Sequence, residues 1–321
     1  MKTGFPKAYT VVGNVKKQGN RNSSLSLLVL NRGGRLFHTE YLKNLECQDF
    51  RDILWIEDPP PPRDIENLAL QFPQVRFLLL PEPASPGEKI NLAIRETQAP
   101  WLLVLWNDIP PPRSTSLFRE RWTDPPPRKG SPGKEGCLCL TPGLIGGGGE
   151  TLPVIRVPVY HKKRLKVLCL PPDQPEKPTL YPFDYAGIYN REKFQSTGGF
   201  DGDMKNPYWQ KMDFGFRAFM WGEKILCDPA FRLHYTGETP QEETTPDEDY
   251  LRFSLKNLQV RVEGKEGFLP PLCFWLYLFR SGAGFASCRR QFKEIAGQVR
   301  LWRDRYRYDA SGVTDLWEED Y

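Results

Sequence analysis

Asn31, Glu57, Asp58 and Asp108 each stand at the end of an apolar run, after LSLLVL, ILWI and LLVLWN respectively. Hard oxygen donors in such places can take a cation or the polar part of a ligand, provided the runs are buried strands opening on one edge of a sheet. Any one of them alone could equally cap a helix or form a turn. Gly146–Gly149 has no Lys-Ser/Thr after it, so it reads as a hairpin tip rather than a phosphate loop. Cys137 and Cys139 lie one residue apart on an apparent strand, hence on one side of it. The seven cysteines are scattered without a C-x-x-C pair, which favours reduced thiols in a cytoplasmic protein over structural zinc.

The elements that must position these residues alternate. Ser24–Asn31, Asp52–Asp58, Val75–Leu80 and Trp101–Trp106 read as buried strands. His38–Leu45, Asp64–Gln71 and Pro86–Thr97 read as helices between them. That alternation predicts a doubly wound α/β sheet, whose ligands bind beyond the carboxyl ends of the strands. The Pro-rich stretch Ile109–Lys134 is an excursion, and Cys137–Leu140 and Val154–Val159 resume the strands. Lys162–Leu170 reads as a basic, alternating strand.

With 321 residues, 39% hydrophobic and 26% charged, the chain has enough apolar surface for a sizeable globular core. A net charge of +4 without a basic stripe argues against nucleic acid. The longest apolar run, Phe268–Phe279, contains Pro270 and Pro271 and falls short of the ~20 residues needed to span a bilayer. Met1–Ser24 is basic and lacks the apolar segment of a signal peptide.

The ordered set LLVLNR (27–32), ILWIED (53–58), Asn91 within EKINLAI and LLVLWND (102–108) resembles the nucleotide-binding half of GT-A glycosyltransferases, nearest to family 2. The block from Tyr185 to Tyr235, with Gly198-Gly199-Phe200-Asp201, Phe214-Gly215-Phe216-Arg217 and a strand ending at His234, resembles the acceptor side. Similar blocks occur in chondroitin-type polymerases and polypeptide N-acetylgalactosaminyltransferases. The resemblance implies a GT-A fold, a Rossmann-like doubly wound mixed sheet, with a C-terminal helical extension. It implies a catalytic domain over 24–240, with a nucleotide half at 24–109 and an acceptor half at 135–240. Segment 1–23 would precede that domain and 241–321 would extend it.

It further implies transfer of a hexosyl group from a nucleoside diphosphate sugar, UDP-linked, to a glycan or glycolipid acceptor. Mn2+ or Mg2+ would be held by Asp108 and His234, with Asn107 in place of an acidic residue found in many relatives. Asn31, Arg32, Glu57 or Asp58, and Asn91 would line the donor nucleotide. Gly198, Gly199 and Phe200 would lie beside the sugars, and Trp209 would offer a ring face or fill the core.

The chain departs from the family where inverting relatives carry their base, since Trp209-Gln210-Lys211-Met212-Asp213 has no acidic pair. Asp213, with Gln210 orienting the acceptor, is the first candidate for the proton transfer; Asp201 and Asp203 are the others, and a retaining mechanism is a further possibility. Alternatives to turnover are a degenerate GT-A domain that binds nucleotide sugar or glycan, and a nucleotidyltransferase suggested by Asn31-Arg32-Gly33-Gly34-Arg35. Over Ala283–Tyr308, residues Phe285, Cys288, Phe292, Ile295, Val299, Trp302 and Tyr306 form one helical stripe flanked by Arg and Lys. That stripe would dock on the domain, form a dimer seam, or make peripheral membrane contact within 268–308 at the inner face of the membrane.

Overall fold

The computed structural model describes residues 8–13, 23–32, 38–45, 49–60, 64–112, 137–161, 164–264 and 266–317. The excursion expected at 113–134, the Gly33-Gly34-Arg35 turn and the last four residues of the acidic tail lie outside them.

The central sheet is built from β1 (Thr10–Val12), β2 (Leu25–Leu30), β3 (Ile53–Glu57), β4 (Val75–Leu79), β5 (Trp101–Trp106), β6 (Cys137–Ile145), β9 (Lys177–Pro178), β10 (Gly187–Asn190) and β11 (Lys224–His234). Their spatial order is β1-β4-β3-β2-β5-β10-β6-β11-β9. Strands β4, β3, β2 and β5 are parallel, with Leu30 beside both Ile56 and Trp106. β10 runs antiparallel to β5 and β6, and β6 and β11 are parallel, so β2, β3, β5, β6 and β11 all end on one edge. Two further strands, β7 (Ile155–His161) and β8 (Arg164–Leu170), form a separate hairpin.

The first four strands of the sequence reading are present within a residue at each end, because continuous runs such as LLVL fit only a sheet covered on both faces. β1 was not expected: the basic N-terminal segment adds Thr10–Val12 to the edge of β4. From β2 the chain winds outward to β3 and β4, then returns to β5 on the other side of β2. The crevice therefore opens between the ends of β2 and β5.

The helices are α1 (His38–Asn44), α2 (Ile65–Gln71), α3 (Pro86–Glu96), α4 (Arg191–Ser196), α5 (Pro207–Met220), α6 (Glu248–Phe253), α7 (Cys273–Ser281), α8 (Phe285–Leu301) and α9 (Ala310–Asp315). α3 starts at Pro86 behind a capping box in which the Glu88 amide donates to Ser85 Oγ (3.3 Å) and the Ser85 amide to Glu88 Oε2 (2.9 Å). α5 is capped by Asn206, whose side chain accepts from the Tyr208 and Trp209 amides.

The stripe on α8 turns inward. Cys288, Ile295, Val299 and Tyr306 are buried, and Phe292 and Trp302 are half-buried, so from Cys288 onward it docks on the chain's own domain, while Phe285 at its start stays 53% exposed. The helix also ends at Leu301, short of Tyr308, because the Arg307 and Tyr308 amides leave it to reach the Met220 carbonyl at 2.7 and 3.2 Å. No helix among the described residues is long and apolar enough to cross a membrane.

Candidate functional site

The switch point of the sheet holds the first cluster. The Asn107 amide follows β5 and donates to the Leu30 carbonyl at 2.9 Å, bringing the two strand ends together. The Asn107 side chain donates to Asn31 Oδ1 (2.9 Å) and accepts from the Arg32 amide (3.1 Å). Asn107 thus braces the crevice from a buried position, where an acidic side chain would have no proton to give Asn31. Asn31 in turn donates to Glu57 Oε2 at 2.8 Å, and Trp55 Nε1 donates to Glu57 Oε1 at 2.8 Å, so Glu57 is buried with both oxygens engaged. Asp58 is the more open carboxylate of the pair; it accepts from the Ala84 amide (3.2 Å) and from Lys89 Nζ (2.5 Å).

Arg32 lies at the centre of this edge. Its guanidinium sits 4.2 Å over the Trp106 ring, 3.6 Å from Asp108 Oδ2, and hydrogen-bonded to Asp184. Asp184 occupies a 3-10 turn just before β10 with φ +52°, a strained conformation for a side-chain-bearing residue. It also accepts from the Tyr235 hydroxyl at 2.7 Å. Burial pushes the Asp184 and Asp108 carboxyls up, with Arg32 opposing the rise in both. Asp108 Oδ1 is closed off from solvent and has no hydrogen-bond partner among the described residues. The Thr236 amide and hydroxyl donate to the Asp108 carbonyl at 2.9 and 3.0 Å, so the end of β11, with exposed His234, reaches the end of β5. Among the described residues no three His, Cys, Asp or Glu side chains gather into a metal-binding group.

A second cluster begins one helical turn into α5. Lys211, in the segment where the sequence resemblance leads one to expect an acidic pair, is buried and paired with Glu242. Its ammonium lies 5.4, 5.7 and 5.3 Å from the ring centres of Tyr181, Phe183 and Tyr185. Glu242 also accepts from Arg156 (3.3 Å) and from the Tyr181 hydroxyl (3.0 Å). Burial would raise the Glu242 carboxyl, but Lys211 and Arg156 outweigh it and hold the group below its ordinary value. The segment after β11 is thereby tied across the first turns of α5, and Trp209 Nε1 donates to the Thr245 carbonyl at 3.1 Å.

The residues expected at the proton transfer, Gln210 as the orienting group and Asp213, Asp201 and Asp203 as the carboxylates, are engaged elsewhere. Gln210 Oε1 accepts from the Gly87 amide (3.1 Å) and the Tyr185 hydroxyl (2.7 Å). Gln210 Nε2 donates to Ser85 Oγ (3.0 Å) and to the Asp201 (2.9 Å) and Met204 (3.2 Å) carbonyls. Asp213 is fully buried between Arg217 (2.7 Å), Lys256 (2.9 Å) and Asn257 (2.9 Å), which corrects the expectation that it faces a cleft. Asp201 is bound by Arg252 (2.8 Å) and Lys256 (2.7 Å), and Asp203 by Arg252 (3.1 Å). Burial opposes ionisation of both Asp201 and Asp213. Lys256 nonetheless holds both below the ordinary carboxylate range, with Arg252 adding to the effect on Asp201 and Arg217 to that on Asp213.

The sugar-facing expectations shift as well. Phe200 is buried in an aromatic cluster, 4.3 Å from Phe214 and 5.2 Å from Tyr185. Asn91 clamps that residue, donating to the Phe200 carbonyl (2.8 Å) and accepting from its amide (2.9 Å), instead of reaching the crevice. Gly199, at φ +68°, admits this clamp because a Cβ there would lie 2.4 Å from Asn91 Oδ1. Gly198 is left-handed too, at φ +80°, with open space beside it. Trp209 stacks on Phe253 at 5.6 Å and touches Tyr208 and Tyr250, so it belongs to the core. A cavity of about 350 Å³ lies between α3, α4, the Gly198–Asp203 loop and α8, away from Asn31, Arg32 and Asp108.

The sequence reading missed Asp184, Tyr235, Glu242, Lys256 and Arg252. Their partners are distant along the chain, and no local spacing marks them. Only Lys211 carried a signal, as the cation in the place of a base.

No protein-family model and no curated protein matches the chain. Among solved structures it is similar to GalNAc-T7 with UDP, GalNAc and Mn2+, at 11% identity and a TM-score of 0.52, over 87% of this chain and 55% of that one. It is also similar to TarS of S. aureus, at 13% identity and a TM-score of 0.50, over 89% of this chain and 44% of that one. The chain thus spans about half the length of the structures it matches. Both likenesses are of fold, and that fold is GT-A: a mixed sheet with its crevice between β2 and β5.

Proposed function

We propose that this chain is a metal-assisted glycosyltransferase, with 24–240 as its catalytic domain and 241–321 as an extension. It would move a sugar from a nucleoside diphosphate, UDP-linked, to a glycan or glycolipid acceptor. The observation that carries the reading is the convergence of Asn31, Arg32, Asn107, Asp108 and Asp184 at the switch point of a GT-A sheet. Arg32 suits a diphosphate, since a guanidinium meets phosphate oxygens with paired hydrogen bonds. Asp58, paired with Lys89 but 37% exposed, is the carboxylate a base could reach, Glu57 being buried in holding Asn31.

The donor set fits a hard divalent cation, Mn2+ or Mg2+. Asp108, with one oxygen unpartnered, and His234 would hold it, leaving further positions to the diphosphate. Such a cation offsets the charge that grows on the leaving diphosphate. The complex of GalNAc-T7 contains UDP and Mn2+, which supports the reading by analogy of fold. Six free thiols among the described cysteines accord with a cytoplasmic setting, at the membrane's inner face. Titration calorimetry with UDP tests the proposal. Binding should tighten with Mn2+, and equal affinity in Mn2+ and in chelator would overturn it.

A second reading is favoured by the Lys211–Glu242 pair. With a cation in the place of the base, and Gln210, Asp201 and Asp213 all bound elsewhere, the domain would bind nucleotide sugar or glycan without turning it over. Metal-dependent UDP binding with no transfer to any acceptor in a broad panel would select it.

A further inference from the structure

On α7 the apolar side chains divide between two faces. Cys273 and Tyr277 are buried, and Phe274 packs edge-on against Phe285 and Phe292 at 5.6 and 5.5 Å, fastening the helix to α8. The opposite face carries Leu272, Trp275, Leu276 and Phe279, exposed by 77%, 53%, 56% and 83%. Their spacing of three, one and three residues places them on one side of the helix. Phe285, 53% exposed, borders this patch through Phe274, whose ring also meets Trp275 at 5.4 Å. Contiguous exposed Leu, Trp and Phe on an ordered helix mark a contact surface, because water has not been excluded from groups that gain by leaving it.

Charge says what covers the patch. Arg280 follows Phe279 at the edge of the α7 face, and Phe285, Arg289 and Lys293 form an i, i+4, i+8 row along α8, with Arg290 beside it. All four cations are exposed, and none pairs with a carboxylate among the described residues. A second copy docked two-fold on this patch would bring the same cations face to face. An anionic surface would neutralise them. α7 has nine residues, too few to span a bilayer but suited to lying in its plane with Trp275 at the headgroup level.

We propose that α7 and the first turns of α8 form a docking face for anionic phospholipid bilayers, with Leu272, Trp275, Leu276, Phe279 and Phe285 inserted and Arg280, Arg289, Arg290 and Lys293 on the headgroups. This rests on the membrane contact in the proposed function and gives it a surface different from the inward-turned α8 stripe. It is independent of sugar transfer, so failure of one leaves the other standing.

The test is co-sedimentation of the full chain with vesicles of phosphatidylcholine alone or mixed with phosphatidylglycerol. Wild type should bind the mixed vesicles at low salt, and binding should weaken as salt shortens the Debye length from ~30 Å at 0.01 M to ~8 Å at 0.15 M. Phe279→Asp and Trp275→Asp, at exposed positions, should each cost at least tenfold, since one large apolar side chain supplies about that much on burial. The double change Arg289→Glu and Arg290→Glu should abolish the preference for phosphatidylglycerol. The melting temperature and far-UV circular dichroism should be unchanged in all of these variants, which separates lost docking from lost folding. Wild type that ignores the mixed vesicles, or binds equally well after Phe279→Asp, overturns the proposal. A wild-type dimer that Phe279→Asp converts to monomer, without vesicle binding, overturns it in favour of a second copy.

Discussion

The amide nitrogen of Gln210 donates to the Asp201 and Met204 carbonyls while its oxygen takes the Gly87 amide and the Tyr185 hydroxyl. A carboxylate could satisfy only the second pair. Gln210→Glu would therefore set a buried charge against two carbonyls, and it should destabilise the fold by about 2–4 kcal/mol, read by denaturant unfolding, rather than create a base. Asp108 is the opposite case, a carboxylate with an oxygen to spare. Asp108→Ala should remove the Mn2+-dependent part of UDP affinity and lower any transfer roughly a thousandfold, the scale of several kcal/mol of transition-state stabilisation. The same variant with unchanged calorimetric response to Mn2+ would count against Asp108 as a ligand.

At the scale of elements, two of the connections that hold the Gly198–Asp203 loop can be tested. Asn91 on α3 satisfies the Phe200 amide and carbonyl, which are buried with it. Asn91→Ala should leave both without partners and cost about 2–6 kcal/mol, at roughly 1–3 kcal/mol for each group. The second connection is ionic: Lys256, after α6, bridges Asp201 to Asp213 on α5. Asp213→Asn should cost about 3–5 kcal/mol, because it takes the carboxylate from the buried Arg217 and leaves Lys256 with Asp201 alone. If Asp213 is the base, the variant will fold normally and lose turnover. If it is the strut the geometry describes, stability will fall and turnover per folded molecule will persist.

For the whole molecule, Asp201, Asp213 and Glu242 are all held below their ordinary values. The unfolded chain takes up these protons first as pH falls, so their stabilisation is complete only above pH ~5.5 and is lost progressively below ~5. Asp184, Asp108 and Asp249, pushed up by burial, oppose this. The melting temperature should hold on acidification until the ordinary carboxylate range and then drop steeply. A profile flat to pH 3 would contradict the assignment. The sequence by itself determined the doubly wound half, since LSLLVL, ILWIED and WLLVLW are unbroken apolar runs and Pro86 with Ser85 and Glu88 marks a helix start. It also placed Asn31 and Asp108 at strand ends, because a ligand edge follows from strand direction alone. It could not say which polar residues remain open to a ligand. Asn91, Phe200, Trp209, Gln210 and Asp213 were expected at the ligand or the acceptor, yet the tertiary structure consumes each of them in packing or hydrogen bonds. The apolar stripe of α8 and the apolar face of α7 look equally available in sequence, and docking buried the first and left the second in water. Periodicity reports that a face is apolar; what covers it is fixed by contacts between segments far apart in the chain, and these form only when the chain folds.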